Sequence, residues 1–236
     1  MSLVVKGYSK PVKINRQKRA KRFTLRVCQI TGKINLTIPL KSSLESAEHF
    51  IEKNANWLSN QLNQVIPRDY VSLGKSIPIE GVDRLILPKG KDLAGSILQK
   101  KQLFLECDEL DVGLATKKFL LNHAVYVLTP IFEENAAYIK ENIKSIRFKD
   151  TKSRWGSCSS EGSLMVSWRL IMAPPSVYRY VVIHEVAHLR YMNHGDEFWT
   201  LVKKLHPFYL NDRFWLKKNG KTLKSFVFDA AKEDTA

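Results

Sequence analysis

The chain has 236 residues and a formal net charge of +15, with 44% of its residues hydrophobic. That apolar share excludes a disordered polyelectrolyte, and no apolar run approaches the roughly 20 residues a membrane-spanning helix needs. Three widely spaced cysteines, Cys28, Cys107 and Cys158, argue against a disulfide framework and for a reducing, cytoplasmic setting.

A secretory leader is not expected, because the opening Met1-Ser2-Leu3-Val4-Val5 is interrupted at once by Lys6. The positive charge is concentrated at this end. Through Lys41 there are 11 Lys/Arg and no Asp or Glu; the first acid is Glu45. Such a region attracts nucleotides, nucleic acid or other anions, or else is a basic surface serving solubility. The sequence leaves both readings open, names no membrane partner and leaves the oligomeric state unknown.

Taken in chain order, Phe23, Leu25 and Val27 alternate with polar residues, as do Ile34, Leu36 and Ile38, and Thr31-Gly32-Lys33 between them predicts a hairpin turn. Ser42 or Ser43 is placed to cap one helix running to about Val65, with Pro67 ending it. Short strands are predicted at Ile77 to Ile79, Leu85 to Leu87 and Leu103 to Leu105. Around Gly113 the texture changes, and a long helix is expected from about Val112 to Asn142, with Pro130 a possible kink point. Two strands, Ser145 to Lys149 and Leu164 to Trp168, follow, joined by a polar loop from Thr151 to Gly162. Pro174-Pro175-Ser176 opens a helix expected to reach Leu189 or beyond, and a last helix is expected over Asp196 to Leu205. The fold class is α+β, divided into a strand-rich basic region over 1–110 and a catalytic region over 111–236.

The chemistry is carried by His184-Glu185-Val186-Ala187-His188. Histidines four apart lie on one helix face, one turn above the other, so both imidazoles reach a single ion. Glu185 projects about 100 degrees from His184, beside that ion, where a general base takes a proton from activated water. A catalytic zinc takes three protein ligands and keeps one position open. His194, after the Tyr191-Met192-Asn193 break, supplies the third. One Zn2+ per chain is expected, although other divalent transition metals also accept imidazole nitrogen. Carboxylates behind the imidazoles are expected too; Asp196 and Glu197 are nearest in sequence and are not assigned.

Arg154-Trp155-Gly156-Ser157-Cys158-Ser159, Trp168-Arg169-Leu170, Ala173-Pro174, Val181-Val182-Ile183-His184-Glu185 and Asn193-His194-Gly195-Asp196-Glu197-Phe198-Trp199 together resemble the YgjP-like metallopeptidase family. That family is related to the SprT-like and M48-type zincins. The run around Arg16, Lys18, Arg19 and Leu25, through Gly32 to Pro39, is similar to the family as well. The resemblance spans the chain to about Leu216. It implies a zincin-like catalytic domain behind a strand-rich N-terminal region, with His184, His188 and His194 as ligands and Glu185 as base. The spacing also resembles the metzincins, but Tyr191 stands where their glycine would be. By the same resemblance an edge strand beside the metal helix pairs with extended substrate, and Leu164, Met165 and Val166 are the candidates; an ordinary interior strand is the other reading.

Further substrate-binding candidates are Arg154, which either clamps an anion or, as the favoured reading, ties its loop down, and Tyr209 and Arg213, which could return to the site to stabilise an oxyanion. Trp155, Trp168, Trp199 and Trp215 are expected in the core and Cys158 as a small buried residue. His49 and His123 are expected away from the metal, with His206 the nearest of the remaining histidines. Three functions fit the sequence: a zinc peptidase acting on polypeptide, a metal-dependent hydrolase of nucleotides or phosphoesters of the pyrophosphatase or phosphatase type, and a protease recruited to nucleic acid by its basic region.

Overall fold

The structure, a computed structural model, describes residues 2–3, 11–89, 95–107, 111–151 and 153–229. It divides into two compact units, Met1–Arg68 and Asp69–Ala236.

Unit 1 is a four-stranded sheet backed by two helices. The strands are β1 (Ser2–Leu3), β2 (Val12–Gln17), β3 (Thr24–Val27) and β4 (Ile34–Pro39), in the order β1-β2-β4-β3. The predicted hairpin is present as β3 antiparallel to β4, with Val27 opposite Ile34 and Gly32 supplying the positive φ of its turn. β2 was not anticipated; it runs parallel to β4 on the other side. One sheet face carries Val12, Ile14, Ile34, Leu36 and Ile38 into a core closed by Ala47, Ile51 and Leu58. Each such Ile or Leu contributes about 1.5–3 kcal/mol by burial.

The single helix expected up to Val65 is two, α1 (Leu44–Lys53) and α2 (Ala55–Asn63). Ser43 caps α1 by accepting from the Ser46 N–H at 3.1 Å. The break falls at Asn54, whose side-chain amide donates to the Phe50 carbonyl at 2.8 Å and diverts the helical ladder.

Unit 2 contains β5 (Asp69–Tyr70), β6 (Ser76–Ile79), β7 (Val82–Pro88), β8 (Ile97–Gln99), β9 (Gln102–Leu105), α3 (Val112–Tyr138), β10 (Ser145–Lys149), β11 (Gly156–Cys158), β12 (Ser163–Ser167), α4 (Pro175–Ala187), α5 (Asp196–Leu205), α6 (Tyr209–Ser225) and β13 (Phe226–Val227). The strands β6 to β9 do not group with unit 1 as the division at 110 expected. Ile77, Ile79, Ile86, Leu103 and Leu105 enter the same core as Leu120, Leu128 and Phe132 of α3 and Val181 and Val182 of α4, so the division between compact units falls after Arg68.

α3 continues through Pro130 and ends four residues before Asn142. Lys140 takes a left-handed conformation (φ 56), and the N–H groups of Lys140 and Glu141 return to the carbonyls of Ala137 and Ala136, a Schellman closure without the usual glycine. α4 starts on Pro175 at its first position and ends at Ala187, a little short of Leu189.

The polar loop after β10 contains an unanticipated strand, β11. The sheet order is β10-β12-β11, with β12 parallel to β10 and antiparallel to β11. Leu164, Met165 and Val166 are therefore paired on both sides, and the expectation that they form an edge is corrected: both ladders of their backbone are spent inside the sheet. The edge beside α4 is β11. Arg169, in a 3-10 helix over Trp168–Met172, is buried. It binds Asp150 through two nitrogens at 2.7 and 3.0 Å and donates to the carbonyls of Leu223 and Phe226, tying the end of β10 to the end of α6.

Candidate metal centre

α4 forms because Val177, Val181, Val182 and Val186 recur at helical spacing and bury against α3. That burial fixes which way the next face points. His184 and His188, one turn apart, project together, and His194 returns from the turn before α5. One ring nitrogen from each of the three lies within 4.8 Å of the others. His184 Nε2 and His194 Nε2 are 3.1 Å apart. Two nitrogens bound to one tetrahedral zinc at about 2.0–2.1 Å sit about 3.3 Å from each other, so the donor set and its spacing fit such an ion. His188 donates from Nδ1 to the Tyr191 carbonyl at 3.0 Å, which leaves the Nε2 lone pair for a metal.

The support behind the histidines differs from the carboxylates expected. Behind His188 stands a backbone carbonyl, and His184 Nδ1 is buried with no hydrogen-bond partner among the described residues. Packing does the orienting instead. Phe198, fully buried on α5, lies 4.9, 4.6 and 4.8 Å from the rings of His184, His188 and His194. Trp199 stacks on His194, Tyr209 on Trp199, and the Arg213 guanidinium lies 5.0 Å over Trp199. Tyr209 and Arg213, both singled out from sequence, thus join the aromatic shell of the site. Phe198 stood in the sequence only as part of the run Asn193 to Trp199, with no packing role read from it.

Burial holds the His184 and His188 imidazoles neutral, the state that ligates. It lowers His184 to about 3, with the neighbouring His188, His194 and Arg213 adding to the effect, and it lowers His188 as well. Glu185 is 5% exposed, and burial pushes its carboxyl up to about 8 against the pull of the Arg154 charge. Its side chain lies against β11: a Cβ built on Gly156 would stand 2.4 Å from Glu185 Oε1. Only glycine leaves room there, and sequence reasoning missed this residue's role. Arg154 is exposed, its carbonyl accepting from the Thr151 hydroxyl at 2.5 Å. Cys158 is half-buried, its thiol pushed up to about 11 by burial and by Glu185.

His206 does not join the histidine cluster; its Nε2 pairs with buried Asp212 at 2.6 Å. His123 pairs with Glu80 at the same distance. Trp168 is buried, while Trp155, Trp199 and Trp215 pack partly buried against the core.

Among solved structures, the chain is similar to the metallopeptidase zymogen of Pyrococcus abyssi abylysin, with 21% identity over 43% of this chain and 92% of that one. The TM-score is 0.31, too loose to transfer geometry. No curated protein matches. No helix among the described residues is long and apolar enough to cross a membrane. The family model described as YgjP-like, metallopeptidase domain, matches residues 21–219. With most of its length matched, the chain belongs to the YgjP-like metallopeptidase family.

Proposed function

We propose that the protein hydrolyses peptide bonds with a zinc ion held by His184, His188 and His194 and with Glu185 as general base. The observation that carries this reading is the convergence of three imidazole nitrogens, from His184, His188 and His194, with a buried carboxylate, Glu185, next to the first of them on α4. The ion, when bound, supplies a Lewis acid that polarises the scissile carbonyl and acidifies water. Glu185 takes a proton from the attacking water at its carboxylate oxygen as the new C–O bond forms. It then delivers that proton to the amide nitrogen as the C–N bond breaks. Tyr209 and Arg213, packed against Trp199, are the residues proposed to stabilise the developing oxyanion with a hydroxyl and a guanidinium.

The outer edge of β11 offers backbone donors and acceptors to an extended peptide, a role that passes to it from Leu164, Met165 and Val166. A polypeptide rather than a nucleotide substrate is supported by Phe208, Leu210 and Phe214, exposed to 74%, 60% and 68% next to Tyr209 and Arg213. Three large exposed apolar side chains on and just before α6 suit the side chains of an unfolded segment, not a phosphate.

Metal content and hydrolysis are to be measured together on wild type and Glu185→Gln, against casein, a peptide library and a nucleotide panel. Wild type is expected to cleave peptide, and the variant to keep its zinc and lose at least about 100-fold in turnover. Full turnover in the variant would sink the role of Glu185. Zinc binding with hydrolysis confined to nucleotides would overturn the substrate class.

A further inference from the structure

In unit 1 the apolar residues of the sheet all face the helices, and strand alternation sends the intervening residues to the other face. Register aligns them in rows. Lys13, Asn35 and Arg26 lie side by side across β2, β4 and β3, and Asn15, Thr37 and Thr24 form the next row. Lys13 and Arg26 are exposed, the other four partly so. The turn between β2 and β3 adds Lys18, Arg19, Lys21 and Arg22, all exposed, and Lys33 closes the hairpin beside Arg26. There is no carboxylate anywhere from Met1 to Leu44. Lys6 and Lys10 lie outside the described residues. Arg16 is committed elsewhere, donating to the carbonyls of Leu40 and Ser42.

We infer that this sheet face and the 18–22 turn bind the sugar–phosphate backbone of a nucleic-acid duplex. Charge complementarity selects a polyanion: seven exposed cations face solvent with no acid among them. The side chains interleaved with them are amides and hydroxyls, which hydrogen-bond phosphate and sugar oxygens. Among the described residues the face has no aromatic to stack an unpaired base, as a single-strand platform requires, because Phe23 is turned to the helical side against Phe50. Nor do the described residues of the face include the large apolar side chains that a membrane-surface element inserts between lipids. Contacts of this kind fix position on a duplex without reading its sequence.

The test is fluorescence anisotropy of the full chain with a short labelled DNA duplex of mixed sequence, titrated in salt from about 50 to 200 mM. With about five phosphates neutralised, log K should fall against log salt with a slope near −4 to −5. Lys13→Gln with Arg26→Gln should lower the magnitude of that slope by about 2, and the four turn substitutions Lys18→Gln, Arg19→Gln, Lys21→Gln and Arg22→Gln should abolish most of the binding. Lys217→Gln with Lys218→Gln, which removes the same charge as the face pair from α6, should leave both affinity and slope unchanged. Circular dichroism confirms that each variant is folded. No binding at low salt, equal loss in the α6 control, or tighter binding to single strands or to vesicles of anionic lipid would each overturn the proposal. Glu185→Gln should bind as wild type does, so the outcome is independent of the peptidase reading.

Discussion

Gly156 shows how a residue with no side chain can govern where a carboxylate sits. Its Cα faces the Glu185 carboxylate so closely that a methyl group would stand 2.5 Å from Cγ as well as 2.4 Å from Oε1. Gly156→Ala should therefore displace the carboxylate by on the order of 1 Å and lower kcat/KM for peptide by about 100-fold, while zinc content by atomic emission stays at the wild-type level. Unchanged activity would mean that the carboxylate does not need its present position. The histidines were legible in the sequence because they lie within one short stretch of chain, where helical spacing pairs His184 with His188 and the following break lets His194 fold back. Gly156 and Phe198 were not, because what each one faces comes from another element. A glycine's reason lies in its neighbour, and the neighbour here is supplied by the packing of β11 on α4.

Arg169 is the comparable feature among the elements. It is buried between Trp168 and Phe228, 5.0 and 5.1 Å from their rings, and joins β10, the 3-10 helix and the end of α6. Arg169→Met should cost about 3 kcal/mol, since it leaves Asp150 and two carbonyls without their donor. A urea titration should show a lower midpoint with an unchanged m-value. The elements found from sequence were those dense in large apolar residues: β3, β4, β6, β7, β9, α3, β10, β12, α4 and α5. Of those missed, β2 turns only Val12 and Ile14 inward. α6 turns Asp212, Gly220, Leu223 and Ser225 inward, mostly small or polar residues that leave no apolar stripe to read, and Gly220 is there because Trp155 lies against it. β11 is Gly-Ser-Cys, poor strand formers held by β12. The split of α1 from α2 depended on one side-chain amide.

The described residues form two separate hydrophobic cores, and His184, His188 and His194 belong to unit 2. A metal bound there stabilises that unit alone, by about 2.7 kcal/mol at a free concentration 100 times its dissociation constant. Calorimetry in zinc and then in chelator should move one transition and leave the other where it was. Equal movement of both would show that the units melt as one. The division of the chain was the least legible feature at this scale. Strand-rich texture continues past residue 100, and texture reports local conformation; it does not report which core a strand completes. That depended on the burial of Ile77, Ile86 and Leu103 against α3.

The histidines and the partner of Glu185 also differ in how soon a growing or refolding chain can bring them together. The loop from His184 to His194 is short and costs little entropy to close, whereas seating Gly156 against Glu185 requires β10, β11 and β12 to pair over a longer separation. If the proposed function holds, an ion is expected to be captured before Glu185 is in register. In refolding with Co2+ as a spectroscopic stand-in, visible absorption should appear ahead of peptide hydrolysis; simultaneous onset would show that one event assembles both.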